Sequence, residues 1–151
     1  MYTTLLLLHS WIRWIALIAV VGATLAVVRG KVEGANSLAD RWGLFAVSAL
    51  DLQMLIGLIL YFVVSPNMQE IRAHFGEAMK NPQLRFWAVE HVTAMLVAVV
   101  LVHLGRVLAR KAKTPAAKRT RLLLCFGIAT LAVFLGTPWP GMAAGRPLFR
   151  V

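Results

Sequence analysis

Acidic residues are scarce in this chain: 6 Asp and Glu stand against 16 Lys and Arg among 151 residues. Charge as a whole is scarce too, at 15% of residues, where a soluble domain carries roughly a quarter. There is one cysteine, Cys125. It excludes an intrachain disulfide and any iron–sulfur or zinc site built from several thiolates of this chain. No Gly-rich phosphate loop, no nucleophile elbow and no repeat occurs, and no pair of carboxylates has a spacing that points to hydrolysis.

Apolar residues are abundant, at 60%, with a mean hydropathy of +0.74. The chain therefore reads as an all-α integral membrane protein, one transmembrane domain over residues 1–151. It is too short for a membrane unit plus a separate soluble catalytic domain. A membrane span needs about 20 apolar residues. Four candidates run from Leu5 to Val28, Trp42 to Val64, Phe86 to Leu108 and Leu122 to about Gly136. Pro138 and Pro140 end the last, since proline cannot continue the helix ladder. Trp11, Trp14, Trp42, Trp87 and Trp139 mostly fall near span ends, as an interfacial belt requires.

The net charge of +10 gathers between the apolar runs, so it reads as membrane orientation; nucleic-acid binding is not expected. Arg106, Arg110, Lys111, Lys113, Lys118, Arg119 and Arg121 surround the third connection with no acid among them. Arg29, Lys31 and Arg41 outweigh Glu33 and Asp40 in the first, and the second is nearly balanced. The positive-inside rule puts the two basic connections in the cytoplasm and both termini outside. No basic residue precedes the first span, which argues against a cleavable signal. In the middle connection Met68, Ile71, Phe75 and Met79 recur at helical steps. They predict either a short amphipathic helix on the outer surface, ended by Asn81-Pro82, or a loop with a few apolar contacts.

Ionisable side chains inside such spans are functional candidates by default. His9 lies four residues into the first span from outside and His91 five residues into the third. At about 1.5 Å per residue both sit on the order of 6–8 Å below the outer edge. Two neutral imidazoles at one depth either ligate one haem iron from opposite faces or are interfacial histidines bonded to backbone and head groups. Arg13 is one turn deeper on the face of His9. It reads as a cofactor-propionate or quinone contact, or as half of a structural ion pair with Glu90 or Asp51. Those two acids are also candidate proton carriers. His103, twelve residues after His91, has no depth-matched histidine on another span and reads as interfacial beside Arg106; Cys125 is a poor haem partner for it. One haem is expected, not two. His74 is expected to be solvated. Trp87 and Phe86 either line a pocket beside His91 or simply pack. Gly57 and Gly127 permit close helix approach.

The opening Leu8-His9-Ser10-Trp11-Ile12-Arg13-Trp14 resembles the first helix of small four-helix bacterial membrane cytochromes b. So do Leu52-Gln53-Met54-Leu55-Ile56-Gly57-Leu58, Leu60-Tyr61, Arg85-Phe86 with Glu90-His91, Gly105-Arg106 and Pro138-Trp139-Pro140. The resemblance spans most of the chain. It implies a haem-binding bundle with His9 and His91 as axial ligands of one haem b. Some relatives carry a His where this chain has Asp51, a departure that weighs against a second haem. The expected function is electron transfer in the membrane between a quinol and a partner redox protein, in a larger redox complex or a homo-oligomer. The competing expectation is a haem-free accessory subunit of a respiratory or photosynthetic complex. A small transporter ranks third.

Overall fold

Three of the four long helices begin where a short polar side chain caps the first turn. Ser37 Oγ accepts from the Asp40 N–H at 3.2 Å, Asn81 Oδ1 from Gln83 and Leu84, and Thr114 Oγ1 from Ala117. Pro82 and Pro115 follow their caps at the first helical position, where the missing N–H has no intrahelical partner to lose. Ser37→Ala is expected to cost about 1 kcal/mol, measured as a lower unfolding midpoint in detergent.

The computed structural model describes residues 1–34 and 36–149. Its elements are α1 (Tyr2–Val28), α2 (Leu38–Ile59, prolonged by a π turn, Leu60–Val64), α3 (Pro66–Ala73), α4 (Phe75–Ala78), α5 (Pro82–Arg85), α6 (His91–Arg110) and α7 (Pro115–Gly136). A second π turn, Phe86–Glu90, joins α5 to α6 without a break. Among the described residues there is no strand. Four helices are long and apolar enough to cross a membrane: Tyr2–Val28, Leu38–Val64, Pro82–Arg110 and Pro115–Gly136. The last three start earlier than the apolar runs predict. The caps, rather than hydropathy, fix helix starts, and Asn81-Pro82 opens the third long helix.

The bundle is inverted relative to a soluble one. Its interior is built from small residues, among them Ala16, Ala19, Ala23, Ala46, Ala98 and Ala129. Large residues such as Ile18, Leu55, Leu96, Leu131 and Leu135 point outward. Between helices in lipid no hydrophobic drive exists, so close backbone approach and van der Waals packing hold them together. Thr24 and Thr130, hydroxyls 2.8 Å apart, add a polar link between α1 and α7. Gly57 meets the His9 ring, whereas nothing lies within 4 Å of a Cβ at Gly127. Gly127 therefore mediates no close approach. Gly43 and Gly105, both against Phe126, do so instead.

α1 packs on α2 and α7, and α6 packs on the same two helices, so α1 and α6 stand diagonally across the bundle. At the basic end, cations satisfy carbonyls that helix termini leave open. Arg119 donates to Val27 O and Val28 O at the end of α1, and Arg121 to Leu108 O near the end of α6. Arg106 donates to Asp40 O at 2.8 Å, and Lys118 pairs with the Asp40 carboxylate at 2.7 Å. Gly30, at φ 72°, ends α1 in a left-handed turn, with Lys31 N–H on Ala26 O and its own N–H on Val27 O.

The middle connection is helical but not one helix. His74 interrupts it at φ −117°, ψ 44°, dividing α3 from α4. Met68 and Ile71 are buried against Tyr61, Leu84 and Trp87, while Phe75 is 47% exposed. The break takes Phe75 off the buried stripe. His74 is exposed and lies 3.3 Å from Glu70.

Candidate functional site

His9 on α1 and His91 on α6 meet across the diagonal of the bundle. Their ring centres are 6.3 Å apart and the planes are inclined at 73°. His91 is aimed by local chemistry. Its backbone N–H bonds to Phe86 O, five residues back, closing the π turn. Such a turn adds a residue to the helix and re-aims the side chains after it, and π turns recur at functional sites. Tyr61 in the other π turn donates its hydroxyl to Ala88 O at 2.7 Å, tying the two together. On α7 the Gly136 carbonyl lies 2.7 Å from His91 Nδ1. A carbonyl only accepts, so Nδ1 carries the hydrogen and Nε2 presents a lone pair. Metal-ligating histidines are commonly held by such a bond.

His9 is positioned by packing. A Cβ on Gly57 would come 3.1 Å from His9 Cε1, so glycine leaves room for the ring. Gln53, one turn earlier on α2, donates from Nε2 to His9 O at 2.9 Å. Trp87 and Phe86 flank His91 at 5.6 and 5.9 Å between ring centres.

The two histidines open on a cavity of about 180 Å³. Arg13, Gln53, Gly57, Tyr61, Trp87 and Arg146 share its wall, and among the described residues no Asp or Glu lines it. Four buried polar atoms lack a hydrogen-bond partner among the described residues: His9 Nδ1, Arg13 Nε, Gln53 Oε1 and Trp87 Nε1. All four belong to residues lining this cavity. Buried polar groups are ordinarily satisfied, so their concentration at one place marks a binding site with both donors and acceptors to offer.

Arg13 does not pair with Glu90 or Asp51, one of the two readings the sequence left open. Its Nη2 donates to Leu148 O at 2.7 Å, where Trp14 Nε1 also donates. Glu90 is taken by Arg85 at 2.7 Å, and neither acid reaches the cavity. Asp51 instead lies 3.4 Å from His103. His103 therefore has a membrane partner, and Arg106 is occupied by Asp40. Cys125 is buried against Gly105.

The segment after α7 carries no sequence signal for the site, yet it forms part of it. It folds back over the end where α1 begins. Arg146 N–H bonds to Pro138 O, the Arg146 guanidinium sits 5.3 Å from the Trp87 ring, and Phe149 stacks on Trp14. This strap supplies Arg146 and Pro147 to the cavity wall. Gln53 is a further site residue that sequence reasoning missed; a lone amide in the apolar run of α2 was its signal.

No protein-family model, no curated protein and no solved structure matches this chain.

Proposed function

We propose that the cavity holds one haem b, with His9 and His91 as its axial ligands, and that the protein carries electrons within a membrane. The observation that carries this reading is the opposed histidine pair, with His91 anchored on Gly136 O. The two ring centres lie 6.3 Å apart and both side chains are on the cavity wall, so His9 and His91 would be the residues to hold the group. The donor set fits. Among the described residues no group of three or more His, Cys, Asp or Glu is placed to hold a metal ion. Two histidines alone suit a metal that brings its own equatorial ligands, as a macrocycle does. Bound there, haem supplies one-electron transfer.

The chain's own residues would do the rest. Gly136 O fixes the tautomer of His91, and Gly57 keeps space for His9. Arg13 and Arg146, unopposed by any acid on the cavity wall, offer positive charge to the carboxylates of the group. The cavity is smaller than the roughly 300–1,000 Å³ of ordinary ligand pockets. The flexible Met54, Met68 and Met95 side chains on its wall are the ones able to yield. A quinol as donor and a partner redox protein as acceptor complete the reading. The test is a reduced-minus-oxidised absorbance spectrum of protein purified from cells supplied with haem. A low-spin signal at about one haem per chain is expected. Its absence would leave the haem-free accessory subunit, which the modest cavity volume favours.

We also propose that the basic end faces the cytoplasm of a bacterial inner membrane, with both termini outside. A cysteine at the exposed Lys113, in a Cys125→Ser background, is expected to resist an impermeant thiol reagent in intact cells and to label after lysis. Labelling in intact cells would reverse the orientation.

A further inference from the structure

Asp51 is the middle residue of the 27-residue helix Leu38–Val64, about 20 Å from either end. It lies within the apolar span in either orientation of the bundle. Yet its side chain is 47% exposed, and that of His103 beside it on α6 is 48% exposed. Ionisable groups at this depth ordinarily face a bundle interior or a water-filled cavity. These two face outward, on a surface otherwise made of Leu55, Val100 and Val107.

Their contact with each other does not exhaust their bonding capacity. His103 Nδ1 donates to Val99 O at 2.9 Å, leaving Nε2 to share one proton with Asp51 Oδ2. That separation is 3.4 Å, long beside the roughly 2.7–2.9 Å of a charge-assisted bond. Asp51 Oδ1 has no partner among the described residues. Ser48, one turn away on α2, is exposed on the same face. Lipid chains offer none of these groups a hydrogen bond.

We propose that this α2–α6 face is an interface with a second copy of the chain. The argument is self-complementarity. A two-fold axis along the membrane normal brings each residue opposite residues of its own depth, and the same patch is used by both copies. Asp51 and His103 share a depth, and between them they offer both a hydrogen-bond donor and an acceptor. Each Asp51 therefore reaches the partner's His103, and the pair becomes a ring of four polar groups sealed from lipid. Polar side chains of this kind join transmembrane helices. The inference does not depend on the haem reading.

Energy transfer between labelled copies in lipid vesicles, followed as lipid is added, tests it. Wild-type chains are expected to associate. Asp51→Leu and His103→Leu are each expected to weaken association roughly tenfold with unchanged helical circular dichroism. Mixing the two variants is the decisive measurement. The mixed pair retains one Asp51–His103 contact across the interface, so association partly returns. A purely intrachain role would give no rescue. In a Cys125→Ala background, Ser48→Cys is expected to cross-link to itself and Leu131→Cys, on α7, is not. Wild-type chains that stay apart at every lipid ratio, mixing without rescue, or cross-linking through α7 would each overturn the proposal. No rescue would leave Asp51 and His103 with an intrachain role, and cross-linking through α7 would place the self-contact on another face.

Discussion

Replacing His91 with Ala is expected to abolish the low-spin haem spectrum of the purified protein, and replacing His9 with Ala is expected to do the same. Each ring is one of the two histidines lining the cavity among the described residues. Among the described residues no other histidine and no Asp or Glu lines the wall, and Cys125 is packed against Gly105. The bis-histidine spectrum is therefore lost rather than shifted by degrees. His103→Ala is expected to leave the spectrum intact, since His103 pairs with Asp51 outside the cavity. Helical circular dichroism separates loss of ligation from loss of fold. A low-spin spectrum retained in both His9→Ala and His91→Ala would remove the ligand assignment.

Gly57→Val is expected to lower cofactor retention about 10- to 100-fold, the range in which residues that orient a metal ligand act. A bare Cβ there would already approach His9 Cε1 to 3.1 Å. Valine adds two methyls with one stiff side-chain rotation, and the ring has to turn. Gln53 holds the backbone carbonyl of His9, not its ring, so nothing on that side resists the rotation. Retention is measured by competition with an apo haem acceptor. Gly127→Val, at a position with nothing within 4 Å of the new Cβ, is the control that keeps its haem. Equal retention in both variants would show that the His9 ring is not held in place by Gly57.

Rotation about the helix axis separates what was legible in the sequence from what was not. His9 and His91 were legible because depth depends only on position along the axis, at a fixed rise per residue. Arg13 was placed on the helix and face of His9, but of its two readings the ion pair with Glu90 or Asp51 does not form. The Leu148 carbonyl that takes it belongs to a segment with no regular structure and no sequence pattern. The stripe from Met68 to Met79 held at Met68, Ile71 and Met79, and the break at His74 took Phe75 off it. Matching depths among histidines alone left His103 without a partner. Asp51 was the group that met it.

The sequence by itself determined the four apolar runs and the polar residues within them. It thereby determined an all-α bundle, because a backbone crossing lipid has to satisfy its hydrogen bonds within its own helix. Only the tertiary structure decided which sides of those helices meet. It put α1 and α6 on a diagonal, turned His91 through a π turn onto the Gly136 carbonyl, closed the end with the strap and left Asp51 and His103 facing outward. The physical reason is that these helices are apolar on all sides. In a soluble helix the polar stripe reports the buried face. In a membrane helix both faces are greasy, and the choice falls to the fit of small residues such as Ala19, Ala23, Ala98 and Ala129, which exists only once the helices are together.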